Sequence, residues 1–156
     1  MTNSSRALVL IAHNIRSAYN VGALLRTADS LGISKVYLTG YTPTSDHTRV
    51  KKTALGAEDT VETVVETDVV QVIERLRSEG YRIVGLELDE RAVSIETYQA
   101  PEVCALLIGN EREGIAPSLR TRCDDLVMIE QRGMKESMNV AVATGIAVYQ
   151  LLRRSA

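Results

Sequence analysis

Six apolar, β-branched stretches separated by helix-like intervals constrain this chain more than any other feature. They run from Ala7 to Ala12, Lys35 to Thr39, Val61 to Val65, Arg82 to Leu86, Val103 to Ile108 and Leu126 to Ile129. Strands that alternate with helical spacers are the pattern of a parallel sheet whose crossovers cover both faces. The expected fold class is therefore α/β, with six mainly parallel strands and helices on both sides. The 156 residues suit one domain with one sheet, and no repeat, low-complexity tract or linker divides them.

Two of the spacers read as ordinary surface helices. Val21 to Leu31 sets Val21, Leu24, Leu25, Ala28 and Leu31 at helical spacing before Gly32. Thr67 to Glu79 gathers Val69, Val72, Ile73 and Leu76 on one face, turns Glu74, Arg75 and Arg77 toward water, and stops at Gly80. The last helix, Met138 to Leu152, differs. It is apolar almost all round and carries small residues at Ala141, Ala143, Gly145 and Ala147. Such a helix must be covered on two sides, and a chain this short has few elements to spare. A homodimer is the expected solution, with burial inside one protomer as the competing one.

Composition removes several function classes. No run of about 18 apolar residues is present to cross a membrane. Met1 to Arg6 is a short polar tail without the pattern of a secretory signal, so the expected compartment is the cytoplasm. Cys104 and Cys123 lack a Cys-x-x-Cys spacing and suit reduced structural thiols, while His13 and His47 are the only histidines, so no metal site is expected. A formal charge of −2 means that nucleic-acid binding has to rest on local clusters such as Arg49, Lys51 and Lys52, or Arg153 and Arg154. Phe and Trp are absent and six Tyr remain, which argues against an extensive aromatic platform for bases.

Three segments place polar groups at carboxyl ends of strands, where open α/β sheets bind ligands. In Asn14-Ile15-Arg16-Ser17-Ala18-Tyr19-Asn20-Val21-Gly22, strand one turns into a helix, and Arg26 follows about one turn inside it. Its guanidinium can fork onto a phosphate. Plain capping by Asn20 and pairing of Arg26 with Asp29 or Glu111 explain these residues equally well. Gly109 and Gly114 bracket Asn110, Glu111, Arg112 and Glu113 after a buried strand, as a ligand loop or as a polar surface turn. It is neither a dinucleotide fingerprint nor a phosphate loop. Ser137 is a candidate N-cap of the last helix, and Asn139 needs hydrogen-bond partners close to it, from backbone or from substrate.

Taken together, the three segments resemble the SpoU-type branch of the SPOUT RNA methyltransferases. Asn14 through Arg26 looks like the first motif, Leu107 through Gly114 the second, and Ile129 through Ala143 the third. The third departs from the frequent Ile-Pro-Met, carrying Ile129-Glu130-Gln131 and then Arg132-Gly133-Met134. The resemblance implies a carboxyl-terminal trefoil knot, a homodimer, and transfer of a methyl group from S-adenosylmethionine to a ribose 2′-hydroxyl of RNA, with tRNA favoured over ribosomal RNA. It further implies a donor pocket of Leu86, Gly109, Ile129, Ser137 and Met138, and catalytic or site-shaping positions at Asn20, Arg26, Glu111, Ser137 and Asn139. Residues 1–156 would form a single SpoU-type domain without a separate RNA-binding domain. A guanidinium cannot accept a proton near neutral pH, so Arg26 would grip phosphate and ribose while the phosphate or an ordered neighbour assists deprotonation. The rival readings are a binding module of the same fold that does not modify RNA, and a small-molecule nucleotide enzyme on a flavodoxin-like sheet.

Overall fold

A computed structural model describes residues 6–153. In chain order, β1 (Ala7–His13) leads into α1 (Ala18–Ser30) and β2 (Lys35–Thr39), then two short helices, α2 (Thr48–Ala54) and α3 (Ala57–Thr60), precede β3 (Glu62–Glu66). α4 (Val69–Ser78), β4 (Arg82–Leu86), β5 (Val93–Ser94) and β6 (Val103–Ile108) follow, and α5 (Pro117–Arg120), β7 (Asp125–Met128) and α6 (Val140–Leu152) complete the fold.

The strands form one sheet in the order β3-β2-β1-β6-β4-β7-β5, and every pairing is parallel. The count is seven rather than six. The additional strand is β5, two residues that pair Val93 with Val127 and Ser94 with Met128 at the sheet edge. Two residues are too few to show a period, which is why the sequence does not announce them.

Each central strand is buried on both faces, as crossovers on both sides of a parallel sheet require. Leu8, Leu10 and Ala12 of β1 join one core with α1, α2, α3 and α6, while Val9 and Ile11 join a second core beneath α4 and α5. α4 buries Val69, Val72, Ile73 and Leu76, and Asp68 caps it by accepting from the N–H groups of Val70 and Gln71. α1 and α2 cross at Gly22, where a Cβ would strike the Thr53 hydroxyl and the Val50 carbonyl. Gly22 thus serves helix packing rather than the turn into α1.

α6 packs against α1 and β6. It buries Ala141, Thr144, Ala147, Val148 and Leu151, yet leaves Val142, Ile146 and Tyr149 at 54%, 42% and 63% exposure. These lie along a groove that α1 lines with Ala23, Thr27 and Leu31. No described helix is long and apolar enough to cross a membrane. Of the two basic clusters, Arg49, Lys51 and Lys52 stand exposed on α2 and Arg153 is exposed, while Arg154 lies outside the described residues.

Candidate active site

Strand order reverses between β1 and β6, since β2 and β3 lie on one side of the pair and β4, β7 and β5 on the other. The loops leaving these two strands therefore meet at the switch point of the sheet. Asn14 leaves β1 with a φ of 54°, in the left-handed region. Its carbonyl accepts from Asn110 Nδ2 at 3.0 Å and its Oδ1 accepts from the Tyr41 N–H at 3.2 Å. Gly40, at a φ of 63°, leaves room for that amide, because a Cβ would collide with Asn14 Oδ1.

The loop after β6 is a closed turn. Asn110 and Gly114 exchange backbone hydrogen bonds of 3.1 and 2.9 Å, and Asn110 Oδ1 accepts from the N–H groups of Arg112 and Glu113. A Cβ on Gly109 would meet the Gly114 carbonyl, and one on Gly114 the Glu87 carboxylate, so both glycines are needed for this closure. Glu87, just past β4, accepts from the Ile115 N–H at 2.7 Å and lies 3.7 Å from Arg120, tying the turn to the next strand end.

Within the turn, Glu111 is the hub. Its Oε1 accepts from the Arg16 N–H at 2.8 Å, and its Oε2 accepts from the Ser17 N–H at 2.8 Å and from Asn20 Nδ2 at 3.0 Å. Asn20 Oδ1 in turn accepts from Asn139 Nδ2 at 3.2 Å. The start of α1, the turn after β6 and the start of α6 are thereby joined through Glu111, Asn20 and Asn139. Partial burial pushes the Glu111 carboxyl up, but the N–H groups of Arg16 and Ser17 and the Asn20 amide outweigh it and hold the carboxyl below its ordinary value.

Beside this hub lies a cleft of about 280 Å³. Leu86, Gly109, Ile129, Ser137 and Met138, the five positions expected to form a donor pocket, line it, and Glu111 reaches its wall. Ile108, Val140 and Ala143 extend the apolar side, and Glu87, Glu113 and Glu136 contribute carboxylates. Asn20 and Asn139 stand behind the wall, connected to it through Glu111.

Three expectations change on contact with the structure. Ser137 does not cap the last helix, which begins at Val140; Asn139 is the cap, accepting through Oδ1 from the N–H groups of Ala141 at 2.9 Å and Val142 at 3.1 Å. Ser137 lies two residues earlier, exposed at the cleft. Likewise Ser17, not Asn20, caps α1, which frees the Asn20 side chain to bridge Glu111 and Asn139. Arg26 is exposed on α1, lines no part of the cleft and, among the described residues, has no ion-pair partner, so neither Asp29 nor Glu111 holds it. Glu87 is the site residue that sequence reasoning missed. Its only signal was a carboxylate directly after the apolar end of β4.

Among the described residues no cluster of His, Cys, Asp and Glu suits a metal ion. Cys104 and Cys123 are free thiols that burial pushes up to about 11, well away from reactive thiolates.

The signature of the SpoU rRNA Methylase family matches residues 7–149. A 23S rRNA (guanosine-2′-O-)-methyltransferase RlmB from Acinetobacter baylyi is 30% identical over 155 residues, spanning 99% of this chain and 62% of its own length. Its counterpart from Coxiella burnetii is 33% identical and is covered over 59% of its length. The chain thus spans about three fifths of these curated relatives. An AdoMet-bound rRNA methyltransferase from Sinorhizobium meliloti superposes with a TM-score of 0.86 at 26% identity, over 92% of this chain and 55% of that one. The A. aeolicus TrmH/SpoU tRNA modifying enzyme does so with a TM-score of 0.85 at 26% identity, over 94% and 74%. With the family signature running from the first strand into the last helix, the chain belongs to the SpoU rRNA methylase family.

Proposed function

We propose that this chain transfers the methyl group of S-adenosylmethionine to a ribose 2′-hydroxyl of RNA, as a pair of identical protomers. The observation that carries the reading is the convergence of three strand-end segments on one cleft braced by Glu111. Its apolar wall of Leu86, Ile108, Ile129, Met138, Val140 and Ala143 suits an adenine and a methylene chain, and Glu87, Glu113 and Glu136 suit cationic sulfonium and ammonium groups. When bound, the donor supplies a methyl group made electrophilic by its positive sulfur.

The residues divide the remaining work. Glu111 is occupied by three donors and therefore braces the site instead of accepting a proton; Asn20 and Asn139 carry that brace to α6. Ser137 offers a hydroxyl at the cleft mouth. Arg26 lies about 9 Å along α1 from Asn20, exposed and, among the described residues, without a carboxylate partner. In our reading it serves the partner's cleft, gripping the target phosphate and ribose so that the phosphate or an ordered neighbour takes the hydroxyl proton. The groove of Val142, Ile146 and Tyr149 beside α1 supplies the dimer face that brings it there.

The reading includes the trefoil knot. In that knot residues 129–139, between β7 and α6, would thread past the connection 87–102, a path with which the place of β7 between β4 and β5 is compatible. Residues 1–156 act in this scheme as one SpoU-type methyltransferase unit, with RNA met in the cytoplasm. The curated relatives are named for 23S rRNA guanosine, which gives no support to the sequence-based preference for tRNA and makes ribosomal RNA the first acceptor to assay.

Unmodified ribosomal RNA incubated with the protein and labelled donor, then digested to nucleosides, tests the proposal. Label in a 2′-O-methylnucleoside is expected. Label on a base refutes the reaction, and RNA binding without any label transfer favours the non-catalytic binding module.

A further inference from the structure

We propose that Tyr41 is the stacking platform for an RNA base at the rim of the cleft, an inference that rests on RNA being the substrate. Tyr41 is 60% exposed, one of three largely exposed tyrosines among the six in the sequence, and it is the one whose hydroxyl is held by the turn after β6. Its exposure is not looseness. Its N–H donates to Asn14 Oδ1 at 3.2 Å, and its hydroxyl accepts from Asn110 Nδ2 at 2.8 Å. The amide that holds the hydroxyl is shared with the Asn14 carbonyl, and Asn110 itself lines the cleft. Gly40, whose missing Cβ makes room for the Asn14 amide, lets that amide reach the Tyr41 N–H. A ring held at both ends with its face in water has prepaid the ordering that a stacking contact costs.

The charges around it complete the pattern. On the far side of the molecule arginines are committed: Arg77 to Glu74 and Asp124, Arg82 to Asp125, Arg122 to Glu74. Near Tyr41 they are not. Arg16 follows Asn14 by two residues, Arg112 follows Asn110 by two, and Arg49 stands in the first turn of α2, to which the Tyr41 loop leads. All three are exposed and, among the described residues, have no ion-pair partner. One rigid aromatic face among uncommitted cations is the arrangement that binds single-stranded nucleic acid, with the ring taking a base and the cations the phosphates. It also explains how a chain of net charge −2 can hold RNA without an extensive aromatic surface.

The test uses the full chain and single-stranded fragments of unmodified ribosomal RNA. Tyr41→Ala should weaken RNA binding by about ten- to a hundredfold, the loss of one base stack, while donor binding is retained; Tyr41→Phe should recover most of the loss. Because the sequence has no Trp, Tyr41→Trp introduces a single indole whose fluorescence should be quenched by RNA. That reporter decides the matter even where the alanine variant folds poorly. Wild-type affinity in Tyr41→Ala, or an unquenched indole under saturating RNA, overturns the inference. If the wild-type chain neither binds nor methylates RNA, the functional reading falls with it, whereas methylation unaltered by Tyr41→Ala removes only the platform.

Discussion

The two helical layers of this molecule are finished to different degrees. On one face α4 buries a single apolar stripe and turns outward Glu74, Arg75 and Arg77, which pair with one another and with neighbours. On the other, α6 buries as much against α1 and β6 but still shows Val142, Ile146 and Tyr149 to solvent. Beside that apolar strip Arg26 stands on α1 with no ion-pair partner among the described residues. The α4 layer is complete within one chain. In the proposed dimer the α1–α6 layer would gain both apolar cover and a use for Arg26.

This contrast breaks first at Ile146. Replacing it with Glu buries a charge in the proposed dimer face, so light scattering should report a monomer and methyl transfer should fall to background, with little change in protomer unfolding because Ile146 is already 42% exposed. A dimer that persists with full activity would move the interface elsewhere. Arg26→Ala should lower methyl transfer by about two to three orders of magnitude, as for loss of a preorganised group that contacts the reacting atoms, while calorimetry finds donor binding intact. Equal loss of both would assign Arg26 to the cleft instead.

On the opposite layer the effect moves from activity to stability. Ile73→Ala, in the fully buried core under α4, should cost about 2–5 kcal/mol in denaturant unfolding and leave turnover per folded molecule unchanged. Glu111→Gln should cost less, about 1–2 kcal/mol, because the isosteric amide loses the charge and replaces one accepting oxygen with an NH2 that faces N–H donors. The Glu111 carboxyl is held below its ordinary value in the fold, so its contribution is complete above the unfolded carboxyl range and is lost as pH falls through the folded value. The gap between wild type and Glu111→Gln should therefore close as unfolding is measured from neutral pH to below about pH 4. The smallest effect belongs to Glu74→Ala, an exposed ion pair worth less than about 1 kcal/mol in the same measurement.

The parts of this protein readable from its sequence are those decided by local burial. β2, β4 and β6 begin and end where their apolar runs do, since strands covered on both faces leave little choice of boundary. α2, α3 and α5 escaped because helices of seven, four and four residues carry too few turns for a periodic signal. At α6, Ser137 and Asn139 are both competent caps; the fold uses Asn139, whose Oδ1 accepts from the Ala141 and Val142 N–H groups while its Nδ2 reaches Asn20 across 119 positions. Glu87 was hidden for the same reason: its partner Ile115 is 28 residues away. Arg26 was visible as a cation on a helix, but a single sequence does not say which copy's cleft that cation faces.

Complementation between two inactive variants tests the shared site most directly. Arg26→Ala removes the guanidinium, and Ala143→Phe fills the cleft wall with a bulky ring while leaving Arg26 in place. Purified heterodimers should recover about half of wild-type methyl transfer, because one of their two sites combines an intact cleft with the other protomer's Arg26. Heterodimers as inactive as either parent would contradict a site built from two copies.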